Sequence, residues 1–380
     1  MRSLTILVII ILIVSCKQKH EIGDIDSITV IINEQINKNF PWSEIVDKTE
    51  VIRLESKEGV LLSAINKLIV YNDILYAYDR RLRDIFMFDN SGKFLGKPGP
   101  KGGGPEEFNE ARDFEIDSEG NVYILDTNRI VVYTNDGRFL KEIKFNFINP
   151  NKSQYINPTQ FAIFDECIYL YTGTIGIKNN KGGVNKSVYK IDKKGKIIDS
   201  WFPVDKKLFD DAVFSKFNNG YLLTPDYSFN TVYYVTPNNI TPKYKIDFGS
   251  FEVPENLISK NLESSESYFR VLQETDYALN VTSAIESSSF LYFNYFQKGG
   301  IRAVIYSKVN ANVYAGKIWL NNFSPPYFIT QYNDWFYGII EPEDYISLKN
   351  KSTNHGFELF ENVVADDNPI IIKVKLKDSI

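Results

Sequence analysis

One pattern restricts the fold of this chain more than any other: a single strand-rich unit is written twice between Ile74 and Leu140. The first copy reads ILYAYDRRLRDIFMFDNSGKFL at 74–95, and the second reads NVYILDTNRIVVYTNDGRFL at 121–140. Each copy has an apolar strand, a corner led by Asp79 or Asp126, another strand, and a glycine turn. A repeat of about 40–50 residues that carries short strands is typical of the blades of a β-propeller.

Weaker copies of the unit predict six blades. Blades one to four are expected over roughly 61–97, 112–145, 161–202 and 212–248; blade five is expected from 288 onwards, and blade six from 334–340 to the last strand at 368–377. The 24 Tyr and 27 Phe residues agree with many strands, because aromatic side chains pack well on a pleated surface. The strand-like EVIRL at 50–54 is expected to join the last blade, since ring closure leaves few open sheet edges.

The segment from Pro254 to about Ser287 has a different pattern. Apolar residues recur there at helical spacings of three and four, as at Leu257, Ile258 and Leu262. We therefore predict one or two helices inserted between blades four and five, and a shorter helical interruption, EDYISLKNK, inside blade six. The predicted fold class is all-β: a six-bladed β-propeller with a helical insertion between blades four and five.

The N-terminus has the features of a bacterial secretion signal. Arg2 supplies a positive charge, and residues 4–14 are apolar apart from Thr5, a stretch too short to span about 30 Å of hydrocarbon as a helix. The segment ends Ile13-Val14-Ser15-Cys16, which resembles the bacterial lipobox. This resemblance implies cleavage before Cys16 and lipidation of that cysteine; ordinary signal cleavage nearby is the alternative.

The chain is thus expected to divide into a lipoprotein signal peptide (1–15), a lipidated tether (16–27) and a propeller (28–380). The expected location is the bacterial cell envelope, with a lipid anchor in the membrane. The tether begins Lys17-Gln18-Lys19 and lacks an acidic run after the cysteine, which favours the periplasmic face over the cell surface.

Four further stretches carry a resemblance to a known group of proteins: VIRLE (51–55), FDNSGKFLGKPGPKGGGPEEF (88–108), DFEIDSEGNVYILD (113–126) and ADDNPIIIKVKLK (365–377). With these the chain resembles bacterial six-bladed β-propeller lipoproteins of undetermined function, which are similar in style to the NHL-repeat propellers. The resemblance implies this fold and a location in the cell envelope, and it implies no reaction.

Several kinds of chemistry are disfavoured by what the sequence lacks. His20 belongs to the tether, so His355 is the one histidine of the expected folded body, and neither a GxSxG nor a CxxC motif occurs. A Ser-His-Asp triad and a structural zinc site are therefore poorly supported, and no catalytic residue is assigned. Cys167 lies in an apolar strand and is expected to be a buried hydrophobe. The formal charge of −5 disfavours nucleic acid as a partner.

Two features could bind an anionic ligand. Arginines follow the Tyr78-Asp79 corner, and guanidinium groups clamp carboxylate or sulfate, although a solvated, salt-bridged corner is the simpler interpretation. The loop KPGPKGGGPEEF (97–108) could turn backbone N–H groups toward an anion, although an irregular connection with glycines at positive φ is the simpler alternative. The candidate ligand-binding residues are Arg80, Arg81, Arg83, Lys101, Gly102, Gly103, Gly104 and Arg112.

A metal site is the remaining possibility. Carboxylate and amide oxygens near a propeller axis could hold Ca²⁺, which prefers oxygen ligands. The candidates are Glu115, Asp126, Asn128 and Asp226. For Asp126 the alternative role is to stabilise its own corner by binding backbone N–H groups.

These observations predict a membrane-anchored envelope lipoprotein that acts as a binding or interaction propeller for a protein, peptide or glycan ligand. The alternative is a divalent-metal-dependent propeller enzyme similar to the lactonases or lyases. A third possibility is a structural scaffold that binds no small ligand.

Overall fold

The strands form six separate sheets, which confirms the all-β, six-bladed β-propeller. The computed structural model describes residues 27–32, 42–145, 158–172, 185–204, 213–225, 230–254, 273–317, 327–349 and 360–378, with residues 257, 270 and 380. The chain begins with β1 (Ile28–Ile31), α1 (Trp42–Ile45) and β2 (Val46–Arg53), which are followed by the blades in order.

Blades one to three are four-stranded antiparallel meanders that run outward from the axis, as the repeat predicts. Gly92, Gly137 and Gly195 occupy equivalent hairpin turns with φ of 88°, 82° and 81°, which a side chain would strain. The strands are β3 (Lys67–Tyr71), β4 (Ile74–Asp79), β5 (Asp84–Asp89) and β6 (Phe94–Gly96) in blade one; β7 (Asp113–Ile116), β8 (Val122–Leu125), β9 (Arg129–Tyr133) and β10 (Phe139–Lys144) in blade two; and β11 (Gln160–Ile163), β12 (Cys167–Tyr171), β13 (Asn185–Asp192) and β14 (Ile197–Val204) in blade three.

Blades four to six continue the ring, and the inner strands of all six blades contact one another in a closed circle. The strands are β15 (Val213–Phe217), β16 (Gly220–Thr224), β17 (Thr231–Val235) and β18 (Ile240–Asp247) in blade four; β19 (Leu279–Glu286), β20 (Phe290–Gln297), β21 (Gly300–Ser307) and β22 (Val313–Lys317) in blade five; and β23 (Phe328–Tyr332), β24 (Trp335–Ile340) and β25 (Ile370–Leu376) in blade six. A short 3-10 helix (Gly249–Phe251) follows β18, and α2 (Pro342–Lys349) lies between β24 and β25.

Both ends of the described chain are fastened into the ring. Strand β2 is the outermost strand of blade six and pairs antiparallel with β25, so that Val51 lies opposite Ile372. This confirms that EVIRL joins the last blade. Strand β1 pairs parallel with β18 and makes blade four five-stranded.

Two predicted blade boundaries were wrong. The part of the expected helical insertion at 279–286 is strand β19, the innermost strand of blade five, so this blade begins earlier than residue 288. Blade six likewise begins with β23 rather than at 334. Most of the remaining insertion, including 258–269, lies outside the described residues. The helical interruption of blade six is confirmed as α2.

Neighbouring blades pack face to face through aromatic and branched side chains. Tyr76 and Tyr78 of blade one contact Phe114 of blade two, with ring centroids 6.5 and 6.4 Å apart. Cys167 is 2% exposed in the cluster between blades three and four, which confirms the prediction of a buried cysteine. None of the helices in the described part of the chain has the length and apolarity that a membrane crossing requires.

Candidate functional site

A cavity of about 1020 Å³ lies on the axis of the ring, and every inner strand contributes to its lining. The inner strands all begin at the same face of the ring, because each starts an equivalent meander. The two ends of the cavity therefore differ in composition. Tyr71, Asn218 and Asn333 lie where the inner strands end. The other end, which we call the arginine mouth, has Asn66, Arg80, Arg83, Glu110 and Arg112.

Two arginines of the mouth share one carboxylate. Arg83 pairs with Glu110, and Arg112 donates to Glu110 Oε1 from Nη2 at 2.7 Å and from Nε at 3.0 Å. Arg80 is held differently: its backbone N–H donates to Asn66 Oδ1 at 2.8 Å. The guanidinium of Arg80 is exposed and has no carboxylate partner among the described residues. Its charge is therefore available to a ligand.

The cavity carries an excess of positive charge. Five cations and three carboxylates belong to its lining, an excess of two positive charges in a chain of net charge −5. A surface of this sign raises the local concentration of anions. The charged lining residues are Lys67, Arg80, Arg83, Arg112, Lys216, Glu110, Asp113 and Glu115.

Deeper in the cavity, Lys67 joins two carboxylates of blade two. Its ammonium group lies 2.8 Å from Asp113 Oδ1 and 2.7 Å from Glu115 Oε1. The remaining oxygens are also bonded: Asp113 Oδ2 accepts from Phe161 N at 3.0 Å, and Glu115 Oε2 accepts from Tyr221 O–H at 3.1 Å. This network joins four blades.

Burial controls the protonation of this network. It raises the pKa of Asp113 to about 6, an effect that the attraction of Lys67 opposes and the nearby charge of Glu115 reinforces. Burial by itself would lower the pKa of Lys67, but the two carboxylates outweigh it, so this pKa lies above its ordinary value. Burial also raises the pKa of Tyr221 well above its ordinary value. Lys67 is thus a cation at neutral pH, already neutralised by its neighbours.

The inner strand of blade five is irregular where it faces the cavity. Leu279, Thr282 and Ile285 lie opposite Phe296, Asn294 and Tyr292, so β19 has one extra residue in each of two successive intervals. These are two β-bulges. Asn280 lies in the first bulge with φ of 63°, and Ser283 lies in the second with φ of 53°. Left-handed backbone costs most non-glycine residues about 1–2 kcal/mol, although asparagine tolerates it better. The backbone strain of this wall therefore lies mainly at Ser283.

The bulged strand lets the cavity reach past the inner edge of blade five. Asn294 and Phe296 of β20 and Ile301 of β21 all belong to its lining. Every described residue that blades five and six contribute to the lining is uncharged. We call six polar residues of this surface the five–six wall: Asn280, Thr282, Ser283, Asn294, Thr330 and Gln331.

Asn294 is the most deeply placed polar group of the five–six wall. It is 2% exposed, and its Oδ1 accepts a hydrogen bond of 2.8 Å from Tyr292 O–H. Its Nδ2 has no hydrogen-bond partner among the described residues. Turning the amide over would leave the oxygen without a partner instead, because Tyr292 offers a single hydroxyl. A buried polar atom without a partner costs about 1–3 kcal/mol.

The glycine-rich loop lies outside the cavity lining and is closed by its own residues. Lys101 Nζ donates to Leu82 O at 2.7 Å, and Gly104 N donates to the carboxylate of Glu107 at 2.8 Å. A Cβ on Gly102 would lie 2.1 Å from the same carboxylate. Glu107 therefore takes a backbone N–H group that the sequence-based hypothesis reserved for an external anion, and a side chain at Gly102 would have to displace this carboxylate.

The structure separates the remaining candidates. Arg81 is exposed and outside the cavity lining, whereas Glu115 lies within it. Asp126 binds Arg129 at 3.1 Å in the β8–β9 corner, and Asn128 is exposed in that same corner. Cys16, Asp226 and His355 fall outside the described residues. In the described ranges, no group of three or more His, Cys, Asp or Glu is arranged to hold a metal ion.

The site residues predicted from the sequence did not include Lys67, Tyr221 or the five–six wall. One signal for blade six was present. Strand β3 ends at Tyr71 and is followed by the turn residues Asn72-Asp73; strand β23 ends at Tyr332 and is followed by Asn333-Asp334. Both Asn-Asp pairs have positive φ, as a two-residue type I′ turn requires. The repeated YND triplet could have placed β23. The bulges of β19 left no comparable signal.

The fold and the cavity define this chain as a closed six-bladed β-propeller with a cation-rich axial cavity. The chain belongs to the family described as domain of unknown function DUF4934, whose model matches residues 27–375. No curated protein sequence matches the chain.

Three solved structures show what this fold is similar to. A Bacteroides fragilis protein provisionally described as exported has a TM-score of 0.72 at 18% identity, over 93% of this chain and 100% of that one. A member of the DUF4221 family from Bacteroides vulgatus has a TM-score of 0.50 at 12% identity, over 87% and 97%. A streptogramin B lyase structure has a TM-score of 0.45 at 12% identity, over 88% and 99%. At sequence identities of 18% and 12%, the similarity to the first two structures establishes the fold alone.

Proposed function

We propose that this protein is a binding propeller whose axial cavity holds a small anionic ligand, with Arg80 at the arginine mouth as the group that binds the negative charge. The excess of two positive charges in the cavity of a net-negative chain carries this proposal. Arg83 and Arg112 already share Glu110, whereas the guanidinium of Arg80 has no carboxylate partner among the described residues. A planar guanidinium binds carboxylate or sulfate with two parallel hydrogen bonds. Peptides and glycan fragments of a cell envelope both carry such groups.

The proposal is tested by a matched pair of variants, Arg80→Gln and Arg81→Gln. Both remove one positive charge from the same exposed corner, but only Arg80 lines the cavity. The probes are digalacturonate, the dipeptide Glu-Glu and sulfate, screened by thermal shift and then titrated by calorimetry. We expect at least one anion to bind in a salt-dependent manner, about 10-fold or more weakly to Arg80→Gln and unchanged to Arg81→Gln. Absence of binding by every anion, or equal losses in the two variants, would contradict the proposal.

We further propose that the protein is held in the envelope by lipid on Cys16. The apolar N-terminal segment supports this location, and the provisional description of the Bacteroides fragilis protein as exported agrees with it. Strand β1 runs parallel to β18, so the tether is expected to leave from the face opposite the arginine mouth. The mouth would then open away from the membrane, on the periplasmic side. The variant Cys16→Ala is expected to leave the membrane fraction, and its full retention there would contradict the anchor.

Three finer predictions remain with this proposal. Two concern the fold: a repeat similar to that of the NHL propellers, and a helical insertion between blades four and five. The third is the alternative function, a divalent-metal-dependent lactonase- or lyase-like activity. For that enzyme Glu115 is the candidate carboxylate within the cavity. A fall in melting temperature on addition of chelator would favour the metal-dependent alternative, since a bound ion stabilises the native state.

A further inference from the structure

The five–six wall differs in chemistry from the rest of the cavity. All charged groups of the lining belong to blades one, two and four, where Lys67 and its carboxylates neutralise one another. The five–six wall presents amides and hydroxyls, groups that both donate and accept hydrogen bonds. The described residues offer no hydrogen-bond partner to the side chains of Thr282, Thr330 and Gln331. This wall is therefore available to a ligand rich in neutral polar groups.

Two independent features indicate that the wall is built and not incidental. Asn294 holds one polar amide atom in a buried position, where the described part of the chain offers it no hydrogen-bond partner. Asn280 and Ser283 keep left-handed backbone in the two bulges that flank Thr282, the residue opposite Asn294. Both features cost stability; strained backbone is concentrated at functional sites, and a buried polar group without a partner calls for an explanation such as a ligand.

We propose that the five–six wall is a saccharide subsite and that the anionic ligand of the cavity is an acidic sugar, a mono- or disaccharide that contains a uronic acid. The proposal rests on the proposed function. The carboxylate binds Arg80 at the arginine mouth, and the ring hydroxyls bind the amide of Asn294 and the hydroxyls of Thr282 and Thr330.

A sugar fits this wall better than a peptide does. Adjacent sugar hydroxyls donate and accept in alternation, as do the side-chain groups of the wall. Phe296 and Tyr327 add aromatic surface to the same side of the cavity. An extended peptide, in contrast, is usually bound through backbone hydrogen bonds at an exposed sheet edge, whereas this wall lies inside the ring.

Isosteric variants test the subsite without disturbing the fold. Thr282→Val and Thr330→Val each remove one hydroxyl that has no partner among the described residues and keep the β-branched shape. Thr49→Val makes the same change in β2, on the outer strand of blade six, and serves as the control. The probe is digalacturonate, measured by calorimetry, with lactose and Glu-Glu as neutral and acidic comparisons.

We expect Thr282→Val and Thr330→Val each to bind digalacturonate about 3- to 10-fold more weakly, with Thr49→Val unchanged. Asn294→Asp, which keeps the acceptor for Tyr292 but loses the amide donor, is expected to weaken binding more and also to lower the melting temperature, because a buried carboxylate without a cation partner is costly. Binding of digalacturonate that depends on Arg80 but is unchanged in Thr282→Val and Thr330→Val would overturn the saccharide subsite and leave the proposed function standing. If no anion binds, both fail.

Discussion

Asn368 is the residue on which ring closure is expected to depend most. It is fully buried just before β25 and bonds to the segment that joins β2 to blade one. Its Oδ1 accepts from Leu62 N at 2.7 Å, and its Nδ2 donates to Glu55 O at 2.8 Å and to Val60 O at 2.7 Å. Its backbone N–H donates to Ser56 Oγ at 2.8 Å. One side chain thus connects the last blade to the first.

The three side-chain hydrogen bonds of Asn368 set the expected loss of stability. Replacement by alanine leaves two buried carbonyls and one buried N–H without their partner. At about 1–1.5 kcal/mol for each bond, Asn368→Ala should lower the free energy of unfolding by about 3–5 kcal/mol. Asn368→Asp keeps the acceptor for Leu62 but turns a carboxylate oxygen toward Glu55 O and Val60 O. At neutral pH, Asn368→Asp should lower the free energy of unfolding by at least as much as Asn368→Ala does.

Urea unfolding followed by tryptophan fluorescence measures these differences. The control is Asn121→Ala, because the hydrogen bonds of the Asn121 side chain to described residues stay within its own turn, to Asp117 and Glu119. That variant should lose less than about 1 kcal/mol, as expected for partly exposed local hydrogen bonds. If Asn368→Ala lost no more free energy of unfolding than the control, the role of Asn368 in closing the ring would be refuted.

Two further predictions concern the cavity. Ser283→Gly should keep or raise the free energy of unfolding, by up to about 1 kcal/mol, because glycine relieves the left-handed backbone at φ of 53°. Ser215→Gly, in the regular strand β15, should instead lower the free energy of unfolding by about 0.5–1 kcal/mol. If both variants lost the same free energy of unfolding, the backbone of Ser283 would not be strained. Because the pKa of Asp113 rises from 3.8 to about 6 on folding, the native state binds the extra proton, and stability falls as pH rises from about 4 to 6. Asn cannot titrate, so the free energy of unfolding of Asp113→Asn relative to wild type, measured by urea unfolding, should rise by about 2 kcal/mol between pH 4.5 and 7.5. A difference that stays constant with pH would contradict this.

The fold was predictable where its signals are local. The doubled unit at 74–140 revealed blades one and two, because strand alternation and glycine turns are short-range features. The same reasoning failed at β19, because two bulges break the alternation of side chains that identifies a strand. Leu279 and the residues after it were consequently assigned to a helical insertion.

The candidate site was predictable only in part. Arg80, Arg83 and Arg112 were singled out as possible anion ligands, and they do meet at one end of the cavity. Which of them has a free guanidinium could not be predicted, because Glu110 can pair with any arginine that the fold brings close. Lys67 and Tyr221 meet Glu115 from other blades, and nothing in their local sequence indicates these contacts.

The amino-acid sequence by itself determined the repeated strand units, the closing strand EVIRL and the signal-like N-terminus. These depend on periodicity, turn residues and hydropathy over a few neighbouring positions. Only the tertiary structure decided that Asn294 is buried without a full set of partners, and that the charges lie on one side of the cavity with neutral groups on the other. These properties depend on distances between blades far apart in the chain, and the closed ring alone sets those distances.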